Sequence, residues 1–229
     1  MMDVAANYRQ IVERVKETAA KAGRDPASIR ILAAAKSQDI ESIHAAIAAG
    51  VSLVGENYVQ EAEAAKRAIS AVVEWHMIGH LQRNKCKAAV ALFDLIESLD
   101  SIALARELDK EGRKAAKQVR AFVEINLGGE TRKTGVAKDQ FLALLEEAAK
   151  LAHLRIEGLM TVPPLGTPED ARPYFRELKK TLDRGRELRL PNIDLKELSM
   201  GMSQDYGVAI EEGATIVRVG TALFGPRKA

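Results

Sequence analysis

Lys36 closes the apolar run Ile29-Arg30-Ile31-Leu32-Ala33-Ala34-Ala35. An amine emerging from such a run is partly desolvated, which lowers its pKa and makes it a nucleophile toward carbonyls, so imine chemistry is open to it. A second group lies near the C-terminus, where Ser199-Met200-Gly201-Met202-Ser203-Gln204-Asp205 is followed by Arg218-Val219-Gly220-Thr221. Glycines let backbone N–H groups approach oxygens closely, and hydroxyls add donors. A helix starting near Ser203 would present its positive end, and together these features suit a phosphate. Each feature also has a quieter structural explanation. Lys36 could lay its stem along apolar surface and reach water, Ser203 could cap a turn, and Arg218 could be an inward arginine paired with an acid.

These residues need elements to hold them. Apolar residues at Val4, Tyr8, Ile11, Val12, Val15 and Ala19 follow a helical period, and Gly23 with Asp25-Pro26 ends that opening helix. Strands are predicted at the run before Lys36 and at Ser52–Val54, Glu74–Ile78, Leu92–Glu97, Gln118–Asn126, Leu154–Met160, Leu195–Ser199 and Thr215–Val219, eight in all. Helix-period segments separate them. One helix from Asp39 ends at Gly50, and Thr167-Pro168-Glu169-Asp170 reads as a cap, an N1 proline and first-turn acids. Eight β-α units without a Pro/Gly/Ser-rich linker predict a single domain over residues 1–229, an α/β chain folded as one (β/α)8 TIM-type barrel with an extra N-terminal helix. The alternative is an open doubly wound sheet, but Lys36-Ser37-Gln38-Asp39 stands where a G-x-G-x-x-G turn would be. In a barrel the loops after the strands form the functional face. Those positions carry Lys36, Gly55-Glu56-Asn57, Gly79-His80-Leu81-Gln82, Ser98, Asn126, Met160-Thr161, and the two C-terminal groups.

Composition narrows the classes. The 34 Lys and Arg against 32 Asp and Glu in 229 residues leave a net charge of +2, and 47% hydrophobic residues suffice for a core. With 4% aromatics and alternating charges there is no basic stacking surface, so no nucleic-acid partner is expected. Cys86 is the one cysteine, which favours a reducing, cytoplasmic setting. The chain shows neither a signal-like start nor an apolar stretch of roughly 18 residues, so no membrane partner is expected. His76 and His80 fall across a strand end without a Cys or carboxylate cluster, so no metal is expected.

An amine for an aldehyde and a cradle for phosphate together suggest pyridoxal 5′-phosphate, which bears both functions on one ring. Arg218 would then face the pyridine nitrogen; arginine only donates, so the ring would stay a weak electron sink. Several motifs carry a resemblance over nearly the whole chain: Ala34-Ala35-Lys36, Gly55-Glu56-Asn57-Tyr58-Val59-Gln60-Glu61, Trp75-His76-Met77-Ile78-Gly79-His80-Leu81-Gln82-Arg83-Asn84-Lys85 and Lys133-Thr134-Gly135. Further on stand Gly158-Leu159-Met160, Ser199-Met200-Gly201-Met202-Ser203-Gln204-Asp205-Tyr206 and Val217-Arg218-Val219-Gly220-Thr221-Ala222-Leu223-Phe224-Gly225. The sequence resembles the pyridoxal phosphate homeostasis protein family, single-domain relatives of the alanine racemase N-terminal barrel. The resemblance implies that Lys36 holds the cofactor as an aldimine, that Arg218 faces the ring nitrogen, and that Ser203, Gly220 and Thr221 lie at the phosphate. It implies a pocket lined by Asn57, His80 and Met160, and Ser199 and Gly201 belong to the same cofactor loop. Ala34-Ala35 and Val54 depart from the commoner residues of relatives, but both changes are apolar.

The implied role is cofactor buffering, carriage or delivery and amino-acid balance, with pyridoxal phosphate-dependent apoenzymes as recipients and no catalytic residues assigned. A racemase of this fold needs a second base opposite the lysine, which racemases take from an additional C-terminal domain. Here the sequence stops at Ala229, and Tyr8, Tyr58, Tyr174 and Tyr206 are predicted to pack at the surface. A weak racemase and a cofactor-free Schiff-base aldolase remain the competing enzyme classes. Lys133 could capture aldehyde at a second site or be a solvated loop lysine, and a monomer is expected.

Overall fold

The computed structural model describes residues 3–129 and 134–226. Asp3 caps helix α1 (Val4–Lys21) by accepting from the Ala6 N–H at 2.9 Å, and one face of the helix buries Ile11, Val15 and Ala19. Strands and helices then alternate: β1 (Arg30–Ala34), α2 (Ile40–Ala48), β2 (Leu53–Glu56), α3 (Val59–Ala68), β3 (Glu74–Met77), α4 (Cys86–Leu92), β4 (Leu95–Leu99), α5 (Ile102–Lys114) and β5 (Val119–Asn126). The second half adds β6 (Val136–Ala137), α6 (Phe141–Ala148), β7 (Leu154–Met160), α7 (Pro168–Glu187), β8 (Ile193–Met202), α8 (Tyr206–Glu211), β9 (Ile216–Val219) and α9 (Thr221–Phe224). The strand order is β4-β3-β2-β1-β9-β8-β7-β5, and β4 pairs with β5 to close the ring in parallel. Strand β6 pairs only with β5, so eight of the nine strands among the described residues form the barrel.

Local chemistry accounts for the boundaries. Asp39 caps α2 through the Ser42 N–H at 2.7 Å, and Gly50 follows its end at φ 111. Thr167 and Asp170 form a reciprocal capping box at α7, with Pro168 in the first turn where its missing N–H removes nothing. Two strands lie differently from expectation. Leu92 is the last residue of α4 and the fourth strand starts at Leu95, because a helix end and a strand start merge into one apolar run. The seventh predicted strand extends from Ile193 to Met202, past Ser199 and through Gly201 at φ 88. Strand β6, too short to show alternation, was not expected.

Apolar side chains occupy two compartments. The larger lies between the barrel wall and the helices, while Leu32, Leu53, Leu95, Phe122, Met160 and Ile216 form a small cluster inside the barrel. Register decides what meets at the rim: Ala34 pairs with Gly55 of β2, and Leu32 and Ala33 pair with Arg218 and Val219 of β9. The residue following β1 therefore stands between the exits of β2 and β9. Among the described residues no helix is long and apolar enough to cross a membrane.

Candidate functional site

Lys36 leaves β1 through Ala35, whose N–H donates to the Gly55 carbonyl at 2.8 Å. The lysine is half-buried, and the turn beneath it is fixed from three sides. Ser37 sits in the left-handed region at φ 60, its N–H donates to the Glu61 carboxylate of α3 at 3.1 Å, and Gln38 N–H donates back to Ala35 at 2.9 Å. Glu61 in turn faces Glu56, which is 1% exposed. Burial, followed by the charge of Glu61 and their mutual hydrogen bond, pushes the Glu56 carboxyl up to about 8. Glu56 is thus the protonated member of a carboxyl pair that supports the lysine turn.

On β2, Asn57 follows directly and packs against Gly79 of the β3 loop. A Cβ on Gly79 would sit 2.5 Å from the Asn57 carbonyl oxygen, so only glycine lets the two loops approach. On the other side, Gly220 lies against Ala34, and the N–H groups of Gly220 and Ala222 both donate to Ser203 Oγ, at 3.2 and 3.1 Å. Exposed Thr221 begins α9 between them. The helix expected near Ser203 begins instead at Tyr206, because Asp205 turns back to accept the Met202 N–H at 2.6 Å. The converging backbone donors therefore come from the start of α9.

Arg218 is 5% exposed and points into the barrel. It donates to Ser199 carbonyl oxygen at 2.8 Å, to Ser199 Oγ at 2.7 Å and to the Thr161 carbonyl at 2.8 Å. Burial draws its pKa down and the charges of Glu97, Glu124 and Asp205 oppose that, which leaves a guanidinium cation at the rim. Ser199 is fully buried beneath the rim, between Arg218 and Glu97. Gly201 packs against α8, where a Cβ would lie 2.4 Å from that of Ala209. Met160 is 1% exposed and belongs to the inner apolar cluster, and exposed His80 places Nδ1 3.1 Å from Asp100 Oδ2. Nearby Glu124 accepts from Thr134 Oγ1 at 2.8 Å, and burial raises its pKa.

The rim thus gathers Lys36, Asn57, Ser203, Arg218, Gly220 and Thr221, whereas Ser199 and Gly201 support it from below and behind. Lys133 lies outside the described residues. Sequence reasoning set Gly79 at a strand end and Glu61 in a motif without giving either a role, gave none to Glu97, and did not foresee that His76 is wholly buried between carboxylates. Tyr206, predicted at the surface, is buried at 6% exposure because it packs behind Gly201. Among the described residues no group of three His, Cys, Asp or Glu side chains could hold a metal ion. The donor set at the rim is an amine, hydroxyls with converging N–H groups, and a cation that cannot accept. It fits a ligand carrying an aldehyde, a phosphate and an aromatic nitrogen.

A closed parallel barrel with a lysine after its first strand and these donors after its last two defines a known class: residues 4–228 match the model of the alanine racemase, N-terminal domain family. A pyridoxal phosphate homeostasis protein of Aquifex aeolicus is 42% identical, over 99% of this chain and 100% of that one. One from Pseudomonas aeruginosa is 38% identical, over 99% and 97%. The solved structure of PipY from Synechococcus elongatus with pyridoxal phosphate bound superimposes with a TM-score of 0.82 at 35% identity, covering 94% of this chain and 100% of that one. The chain belongs to this family, among its pyridoxal phosphate homeostasis proteins.

Proposed function

We propose that this protein binds pyridoxal 5′-phosphate reversibly through Lys36 and serves intracellular cofactor homeostasis by buffering or delivering it, without efficient turnover of amino acids. The observation that carries this reading is the adjacency of β9, β1 and β2, which places Lys36 between the Ser203-Gly220-Thr221 donors with Arg218 and the Asn57 loop. The bound PipY relative supports the identity of the ligand. When bound, the cofactor supplies an electrophilic aldehyde on an aromatic ring. Lys36 would hold the cofactor through its aldehyde, the N–H groups of Gly220 and Ala222 with the Ser203 and Thr221 hydroxyls would hold the phosphate, and Arg218 would donate toward the ring nitrogen. An arginine there donates and cannot keep the ring nitrogen protonated, so the ring would be a weaker electron sink. The tyrosines fit the same picture: Tyr8 donates to the Gly50 carbonyl at 3.2 Å, Tyr206 is buried behind the rim, and Tyr58 is 58% exposed. Dependent apoenzymes are the proposed recipients, the cytoplasm the proposed compartment and the monomer the proposed form.

The test is an absorption spectrum of freshly purified protein, followed by borohydride reduction and peptide mapping. A visible band fixed by reduction onto Lys36 is expected, and Lys36→Ala should lose it while keeping its circular dichroism. Protein that neither carries the band nor takes up added cofactor would refute the assignment. Exchange of the α-hydrogen of amino acids in deuterated solvent at a rate above that of free cofactor would move the protein to the racemase class.

A further inference from the structure

The barrel interior is crossed by a chain of charged groups that holding a ligand at the rim does not by itself require. From the rim downward, Ser199 Oγ lies 2.5 Å from Glu97 Oε2, Glu97 Oε1 lies 2.6 Å from His76 Nδ1, and His76 Nε2 lies 3.1 Å from Glu74 Oε1. Glu74 then meets Arg120 at 3.0 Å and Arg30 at 2.9 Å near the opposite end of the barrel, and Arg120 continues to Glu157 at 2.9 Å. Glu97 and His76 are wholly buried. Replacing buried ion pairs by apolar side chains is often neutral or stabilising by about 1–4 kcal/mol, so stability alone does not explain the chain.

Its hydrogen-bonding logic is directional. Ser199 accepts from Arg218 and donates to Glu97. Both ring nitrogens of His76 face carboxylate oxygens, which only accept, so both must carry protons. Burial by itself would lower the imidazole pKa, but Glu74 and Glu97 outweigh it and raise the value. Charges therefore alternate along the barrel: Arg218 positive, Glu97 negative, His76 positive, Glu74 negative, Arg30 and Arg120 positive. Glu97 has a second cation within reach, since Arg218 Nη1 stands 3.9 Å from Glu97 Oε2. While His76 is protonated, Glu97 is neutralised from below. Without that charge Arg218 would be the cation left nearest to Glu97, and the guanidinium would be drawn from the Thr161 and Ser199 carbonyls toward the carboxylate.

We propose that His76, acting through Glu97 and Ser199, is a positioning residue that keeps Arg218 raised toward the cofactor ring. The groups that face His76 are Glu97 from β4, Glu74 from its own strand and the Phe122 ring from β5 at 6.3 Å, with Arg218, Arg30 and Arg120 one contact further. The proposal rests on the cofactor-binding reading, which uptake of added pyridoxal phosphate by the wild-type protein tests separately. In the cofactor-free protein, nitrogen-proton NMR of His76 should show both ring nitrogens protonated at neutral pH; a neutral tautomer overturns the proposal.

His76→Gln leaves Glu97 without its lower cation. It should bind added pyridoxal phosphate about 10–100-fold more weakly, by analogy with the loss seen when a partner that orients a metal-binding side chain is removed, and should shift the visible band. His76→Gln with Glu97→Gln removes the charge that pulls on Arg218, and should recover most of the affinity and the wild-type band. Glu74→Gln, at the distant end of the chain, guards against a single variant that fails to fold. It should move any pH-dependent change of the band to lower pH, because His76 loses one of the carboxylates holding its proton. Folded single variants with wild-type affinity and spectrum, a double variant no better than His76→Gln, or a Glu74→Gln profile that coincides with wild type each overturn it.

Discussion

Glu56→Gln is the substitution that isolates the carboxyl pair under the lysine turn. Glu56 is 1% exposed, its Oε2 has no hydrogen-bond partner, and burial and Glu61 raise its pKa from 4.5 to about 8. The folded chain therefore keeps a proton that the unfolded chain releases. Stability from this group is complete below the unfolded value of 4.5 and is lost as pH climbs to about 8. One pKa unit corresponds to about 1.36 kcal/mol, so the loss is about 3 kcal/mol at neutral pH and about 5 kcal/mol above the folded value. Glutamine carries no titratable proton and still offers Glu61 an N–H donor. The variant should match wild type near the acidic end of the window and exceed it at alkaline pH. For a chain of this size about 1 kcal/mol moves the melting temperature by about 2–4 °C, so a gap of about 10–20 °C is expected at the alkaline end. Thermal unfolding followed by circular dichroism across the window, wild type and variant side by side, reads the difference directly. Curves that stay parallel at every pH, or a variant less stable under alkaline conditions, would refute the protonated-pair argument.

The rim supports further expectations. Gly79→Ala forces a methyl group to 2.5 Å from the Asn57 carbonyl, and should lower stability by about 1–3 kcal/mol and weaken cofactor uptake; an unchanged melting temperature would count against the tight loop contact. Ser203→Ala removes the hydroxyl on which the Gly220 and Ala222 N–H groups converge, and should weaken binding of pyridoxal phosphate by about tenfold while leaving binding of unphosphorylated pyridoxal alone. Equal losses for the two ligands would place Ser203 away from the phosphate. Thr167→Ala opens the capping box of α7 and should cost about 1 kcal/mol in a melting experiment, with no effect on the visible band.

Much of this arrangement is written in local patterns. The helix over Val4–Lys21 follows from one apolar face, Asp39 and Gly50 bracket α2, and Thr167 with Asp170 announces α7. Rim residues were accessible too, because strand ends can be located once strands and helices alternate, and Lys36, Asn57 and Gly220 all stand there. The helix after Ser203 starts later than its residues suggest, at Tyr206, because the reversal at Asp205 depends on a 2.6 Å bond to Met202 that no residue type announces. Likewise the tight approach of Gly79 to Asn57 arises from two loops meeting in space.

The axial chain was hidden for a different reason, and that reason shows how it can be found. Parallel barrel strands are buried on both faces, so a polar residue in one looks like a strand end rather than an inward position. Glu74 and His76 are spaced by two on β3, Arg120, Phe122 and Glu124 keep that spacing on β5, and Glu97 interrupts the apolar β4. Period two assigns such residues to one face, but it cannot say which opposing strand supplies the partner. Closure of the ring does that, bringing Glu97 to His76 from 21 residues away and to Ser199 from 102. A charged residue at an inward position of a closed barrel has little room to reach water and must be neutralised across the axis. Acids and bases recurring at period two in several strands therefore mark an internal chain, even before any pair can be named.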